Sequence, residues 1–154
     1  MTWTGQKGSY GRVRRILQTK GMLPASDLPD QAMFRSAAPV FPVADVNAAV
    51  RWYADVLGFE ALHVNADADG TANYAIVRLG EVQVHLLQNG FEDESMRSPA
   101  EAMLTMSGDI DALAVRLKQR GLVFHREIAD QPWGARDFTV LDPDGNRIWI
   151  AAFG

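Results

Sequence analysis

The sequence repeats itself at a fixed interval. Asp45-Val46-Asn47-Ala48 is answered by Asp109-Ile110-Asp111-Ala112, an offset of 109 − 45 = 64 residues. The same offset pairs Val84-His85-Leu86 with Ile148-Trp149-Ile150, and Ala38 with Ala102. Self-similarity at one period means that a single supersecondary unit is used twice. The fold then reduces to the shape of one unit and the way two copies meet.

Each copy has the same order of elements. Residues 36–43, "SAAPVFPV", read as a strand. Pro39 and Pro42 place it at an edge or a bulge, because proline donates nothing to a ladder. Residues 45–58, "DVNAAVRWYADVLG", read as a helix capped by Asp45, with Val46, Ala49, Val50, Tyr53 and Leu57 along one stripe and Gly58 at its end. The strands "FEALHVN", "ANYAIVRL" and "EVQVHLLQ" follow, with turns at 66–70 and at Gly80. After a polar loop at 89–99 the order recurs: a strand at 101–107, a helix at 109–121 capped by Asp109, and the strands "LVFHREI", "RDFTVLD" and "NRIWIAA". The expected class is α+β, with two βαβββ modules at 36–90 and 99–154 in one pseudo-twofold domain, 36–154, and a cleft between the sheets. Residues 1–35 stand outside it as an extension, with a short helix at 9–21 and a turn-rich linker.

Charge is distributed unevenly. Residues 1–26 carry five basic side chains (Lys7, Arg12, Arg14, Arg15, Lys20) and no acidic one, so the remainder holds 19 acidic and 10 basic groups, a net −9. An acidic body favours cationic small molecules and disfavours nucleic acid. The basic segment reads as a solvated helix face or docking arm. The chain has no cysteine, which excludes disulfide and thiolate chemistry and suits the cytoplasm. Its N-terminus lacks the apolar core of a secretory signal. No apolar run approaches the ~18 residues of a membrane span, so no membrane partner is expected.

Little points to nucleophilic or phosphate chemistry. No Gly-x-Ser-x-Gly elbow and no Gly-rich phosphate loop occur. "EDES", 92–95, reads as a solvated stretch. "DPDGN", 142–146, is a turn and lacks the further oxygen ligands of a calcium loop.

The double strand–helix–three-strand order resembles the vicinal-oxygen-chelate superfamily of glyoxalases, extradiol dioxygenases, fosfomycin-resistance enzymes and bleomycin-resistance proteins. The residues that carry the resemblance are "APVFPVADVNAAVRWYADVLGFE", "YAIVRLGEVQVHLL" and "PWGARDFTVLDPDGNRIWIA". They span nearly everything from Ala37 to Ala152, and the pattern Trp133 to Asn146 is most similar to bleomycin-resistance proteins. The resemblance implies a strongly curved mixed sheet around a cleft. It also implies four inward metal-ligand positions, which fall here at Ala38, His85, Ala102 and Trp149. Of these only His85 has a lone pair for a metal, since a methyl has none and indole offers only N–H. His63 and His125 lie off the family's ligand strands and read as half-buried strand residues. No metal and no other cofactor is therefore expected.

With the ligands replaced, the cleft becomes apolar and aromatic. Ala38 and Ala102 make room, Trp149 offers a ring face to a flat heterocycle or a cation, and His85 offers one donor and one acceptor. Trp133, in a loop beside proline and glycine, corresponds to a drug-contacting region of the family. Trp52 lies off the apolar stripe of its helix and is a further candidate for ligand or interface contact. Phe41, Phe59, Phe138 and Tyr53 read as core. The leading expectation is a metal-free homodimer that sequesters a flat or cationic ligand such as a bleomycin-type antibiotic. The alternatives are a metal-dependent lyase, isomerase or dioxygenase, and a non-catalytic interaction module working through the basic arm.

Overall fold

Asp45 and Asp109 start the two helices in the same way. Each has an extended backbone, and each carboxylate accepts a hydrogen bond at 2.9 Å from the N–H three residues on, Ala48 and Ala112. That bond satisfies one of the N–H groups a helix start leaves without a partner. The computed structural model describes residues 36–88 and 98–154. The expected helix at 9–21 and most of the loop at 89–99 lie outside the described residues. Helix α1 runs Val46–Trp52 and widens into a π-helical turn over Tyr53–Leu57, and α2 runs Ile110–Gln119. Gly58, at φ +83°, closes the first: its N–H reaches Ala54 O at 3.1 Å, and the Phe59 N–H reaches Tyr53 O at 3.0 Å. Glycine takes this left-handed position without a Cβ penalty.

The strands form two four-stranded sheets. β1 (Val40–Val43), β2 (Glu60–Ala66), β3 (Ala72–Leu79) and β4 (Val82–Gln88) lie in the order β1-β4-β3-β2. β5 (Glu101–Met106), β6 (Arg126–Asp130), β7 (Ala135–Leu141) and β8 (Arg147–Phe153) lie in the order β5-β8-β7-β6. In each sheet the first strand is parallel to the last and the other pairings are antiparallel. Two βαβββ modules are thus present. β6 begins later than the sequence pattern predicts. Phe124 is buried and stacked on Phe138, with ring centroids 4.4 Å apart, so an aromatic contact anchors the segment ahead of the ladder.

Alternation along the strands decides which side chains are covered. Val84 and Leu86 on β4, Ala75 and Val77 on β3, Phe138 and Val140 on β7, and Ile148 and Ile150 on β8 join one core with Phe41, Tyr53, Phe59, Ile110 and Leu117. Each large side chain fully buried there contributes about 1.5–3 kcal/mol relative to exposure. Among the described residues no helix is long and apolar enough to cross a membrane.

The turn 142–146 ties the modules together. The fully buried Asn146 side chain donates to Pro42 O at 2.9 Å and to Asp142 Oδ2 at 2.8 Å, and accepts from Ala100 N at 2.9 Å. Tyr53 donates its hydroxyl to Asp142 Oδ2 at 3.0 Å, and the Ala44 N–H donates to Asp144 Oδ1 at 2.8 Å. Burial, with Asp142 beside it, pushes the Tyr53 phenol well above its ordinary range, which keeps it a donor. Burial also raises the Asp142 carboxyl, against the opposing hydrogen bonds from Asn146, Tyr53 and Asp144.

Candidate functional site

The faces of the two sheets opposite the core carry matching rows of side chains. On the first sheet the row is Val40, His85, Ile76 and His63, across β1, β4, β3 and β2. On the second it is Met103, Trp149, Thr139 and Arg126, across β5, β8, β7 and β6. One residue pair along β3 and β7 stand Tyr74 and Asp137. Tyr74 and His85 share a hydrogen bond of 2.5 Å between the hydroxyl and Nδ1, and their rings meet edge to face at 5.7 Å. His63 lies 6.5 Å from the Tyr74 ring.

The equivalent trio in the second module is ionic. Arg126 donates through Nη2 to Asp137 Oδ1 at 2.6 Å, and Gln131 donates to the same oxygen at 2.9 Å. The Arg126 guanidinium also sits 4.7 Å from the centroid of the Trp149 ring. Asp137 is wholly buried, whereas the Arg126 side chain is 37% exposed, so the pair turns its positive end outward. Each member of the trio keeps one buried polar atom without a partner: Arg126 Nε, Asp137 Oδ2 and Trp149 Nε1. Finished packing rarely leaves such atoms together. Beside Trp149, on the β5 side, is a cavity of about 230 Å³ lined by Glu101, Ala102, Met103 and Trp149.

The structure separates several residues that the sequence pattern groups. The helices and the last strands repeat at 64 residues, as Leu86 and Ile150 show, 150 − 86 = 64. The first strands repeat at 63: Phe41 pairs with Leu86 as Leu104 pairs with Ile150, and 104 − 41 = 63. One residue, Ala44, separates β1 from its capping Asp45, but two, Ser107 and Gly108, separate β5 from Asp109. Ala102 therefore pairs with Ile148, half-buried and packed against the core, and the counterpart of Ala38 is Glu101. Ala102 borders the cavity from a core-facing position, while Met103 shares the face of Trp149.

Ala38 lies just before β1 and is half-buried, next to Pro39, whose carbonyl accepts from His85 N at 3.0 Å. The cavity at Trp149 takes no lining from the first module, so His85 and Trp149 occupy separate faces. Trp133 is 53% exposed in the β6–β7 turn. Trp52 is half-buried at the end of α1, packed against the core with its ring edge-on to Tyr53 at 5.1 Å. His63 and His125 are both exposed, and His125 stands just outside β6, contrary to their half-buried reading. Arg126, Asp137, Tyr74, Met103 and Glu101 were not singled out by sequence. The only signal for the second trio was a carboxylate, Asp137, between Arg136 and Phe138 in a strand that is otherwise mostly apolar.

A divalent metal finds a poor donor set at the four inward positions, now Ala38, His85, Glu101 and Trp149. His85 Nδ1 is engaged by Tyr74, and the Glu101 carboxylate is held by Arg147. Among the described residues no group of three or more His, Asp or Glu side chains is placed to hold a metal ion. The residues present do not fit the metal centre of the superfamily's enzymes.

Comparison with known proteins agrees with the fold. Residues 35–150 match the model of the glyoxalase/bleomycin resistance protein/dioxygenase superfamily. A bleomycin resistance protein of Geobacillus stearothermophilus is 32% identical over 125 residues, covering 71% of this chain and 90% of that protein. The crystal structure of a bleomycin-binding protein from Streptomyces verticillus, complexed with copper(II)-bleomycin, is 27% identical with a TM-score of 0.62, over 79% of this chain and 97% of the other. A glyoxalase-related enzyme from Clostridium phytofermentans is 25% identical with a TM-score of 0.65, over 79% and 96%. Two βαβββ modules and a family match over three quarters of the chain lead to one assignment: the chain belongs to the glyoxalase/bleomycin resistance protein/dioxygenase superfamily.

Proposed function

We propose that the protein binds and sequesters a flat small molecule without transforming it, as a cytoplasmic homodimer. The observation that carries this reading is Trp149. It stands half-buried beside Met103, itself 47% exposed, and next to a cavity, where metal-dependent relatives keep a ligand. Sites for small molecules are mostly apolar with a few placed polar groups. The cavity has that character, with Met103 and Trp149 as walls and Glu101 at its rim. Val40, 43% exposed, and Met103 hold equivalent rows on the two open faces, and a second copy of the chain would cover them. The bleomycin resistance relatives support a bleomycin-type drug as the first ligand to try. The acidic body, net −9 over residues 27–154, would attract a cationic end of such a ligand at long range.

The test is quenching of tryptophan fluorescence across a panel of bleomycin-type drugs and other flat metabolites. Quenching by at least one of them is expected, and Trp133→Ala should weaken it. A panel without binding at millimolar concentration overturns the reading. So does stoichiometric Zn, Ni, Mn or Fe in protein purified without chelators, if it is lost in His85→Ala.

A further inference from the structure

We propose that Arg126, positioned by Asp137, sets the charge preference of the Trp149 face: the ring it accepts is neutral or carries an acidic group, and a cation is disfavoured. This rests on the binding reading above and names the ligand class for that site. The sequence pattern offers Trp149 as a seat for a cation. The structure fills that seat from within, with the Arg126 guanidinium 4.7 Å from the ring centroid.

The arrangement is built. Asp137 is wholly buried and holds Arg126 through Nη2, with Gln131 donating to the same carboxylate oxygen. The strand order β5-β8-β7-β6 puts Arg126 on one side of Trp149 and the cavity, against Met103 of β5, on the other. A ligand ring in the cavity therefore makes the third layer of a guanidinium–indole–ligand stack. A cation attracted to the indole would compete with a cation already there. Glu101, the one charged side chain that lines the cavity, is held in an ion pair by Arg147. Asp137 Oδ2, Arg126 Nε and Trp149 Nε1 are buried without hydrogen-bond partners. The equivalent trio of the first module, His63, Tyr74 and His85, has no such ion pair, so this preference belongs to the second module alone.

Three probes of one ring size test the proposal: 2-naphthoate, 2-naphthamide and trimethyl-2-naphthylammonium, each measured by equilibrium dialysis. In the wild-type protein the carboxylate or the amide should bind about tenfold more tightly than the ammonium. The double variant Arg126→Gln/Asp137→Asn removes both charges, avoids a lone buried carboxylate, and should bring the three affinities together. Arg126→Lys keeps a cation by the ring and should retain the wild-type order. An ammonium that binds wild type as tightly as the carboxylate, or an unchanged ratio in the double variant, overturns the proposal. If the double variant does not fold, the wild-type ratio decides alone. Failure of all three probes to bind wild type, like an ammonium preference, overturns this proposal, whereas the sequestration reading falls only if the drug panel also fails to bind.

Discussion

Replacing Asn146 with alanine removes one tie between the two modules, the bond to Pro42 O, and two bonds within the second module. The side chain is fully buried and makes three hydrogen bonds, to Pro42 O, Asp142 Oδ2 and Ala100 N. Asp142 keeps its bond from Tyr53, and Ala100 is half-buried near the surface, so neither loses all solvation. Pro42 O bears the full loss. A buried group left without its partner costs about 1–3 kcal/mol, so the whole substitution should cost about 2–4 kcal/mol. For a domain of this size that is a fall in Tm of about 10 °C. Urea and thermal unfolding followed by circular dichroism read both quantities. Asn146→Asp is the informative companion, because it keeps the acceptor for Ala100 but sets a second carboxylate against Asp142, and it should be no better than alanine. A loss below about 0.5 kcal/mol, the level of an ordinary surface change, would refute this role of Asn146.

Three further outcomes follow from the same geometry. Tyr53→Phe should cost about 1–2 kcal/mol in urea unfolding, because a buried hydroxyl that donates to a carboxylate is lost. Asp142 has its folded-state carboxyl raised by burial, so the native state binds the proton more tightly than the unfolded chain does. Stability should therefore fall as pH rises from about 4 through the folded-state value, and level off above it. Asp142→Asn should flatten that slope in a series of urea midpoints, and an unchanged slope would assign it elsewhere. Gly58→Ala meets no steric obstacle but must hold φ near +83°, and should cost about 1 kcal/mol by thermal unfolding.

The modules were legible because their signals are local. Asp45 and Asp109 cap helices by a contact three residues away, and Gly58 ends one by its own backbone. The site was less legible because it depends on register across strands. An offset of 64 holds for the helices and last strands, and a single extra residue before Asp109 makes it 63 for the first strands. A slip of one residue turns a strand over. That is why Ala102 faces the core and Glu101 and Met103 face outward with Trp149. Arg126 and Asp137 are 11 residues apart and meet only because β6 and β7 are adjacent, which no spacing within either strand announces. "DPDGN" was legible as a turn, but its Asn146 became a hub through partners 46 and 104 residues away.

Binding at Trp149 should need no metal. Calorimetric titration of a bleomycin-type drug into chelator-stripped protein, and into the same protein resupplied with divalent metal, tests it most directly. One affinity is expected in both samples, weakened about tenfold or more, 1.4 kcal/mol, by Trp149→Ala. Binding that appears only after metal is restored, and disappears in His85→Ala, would contradict it.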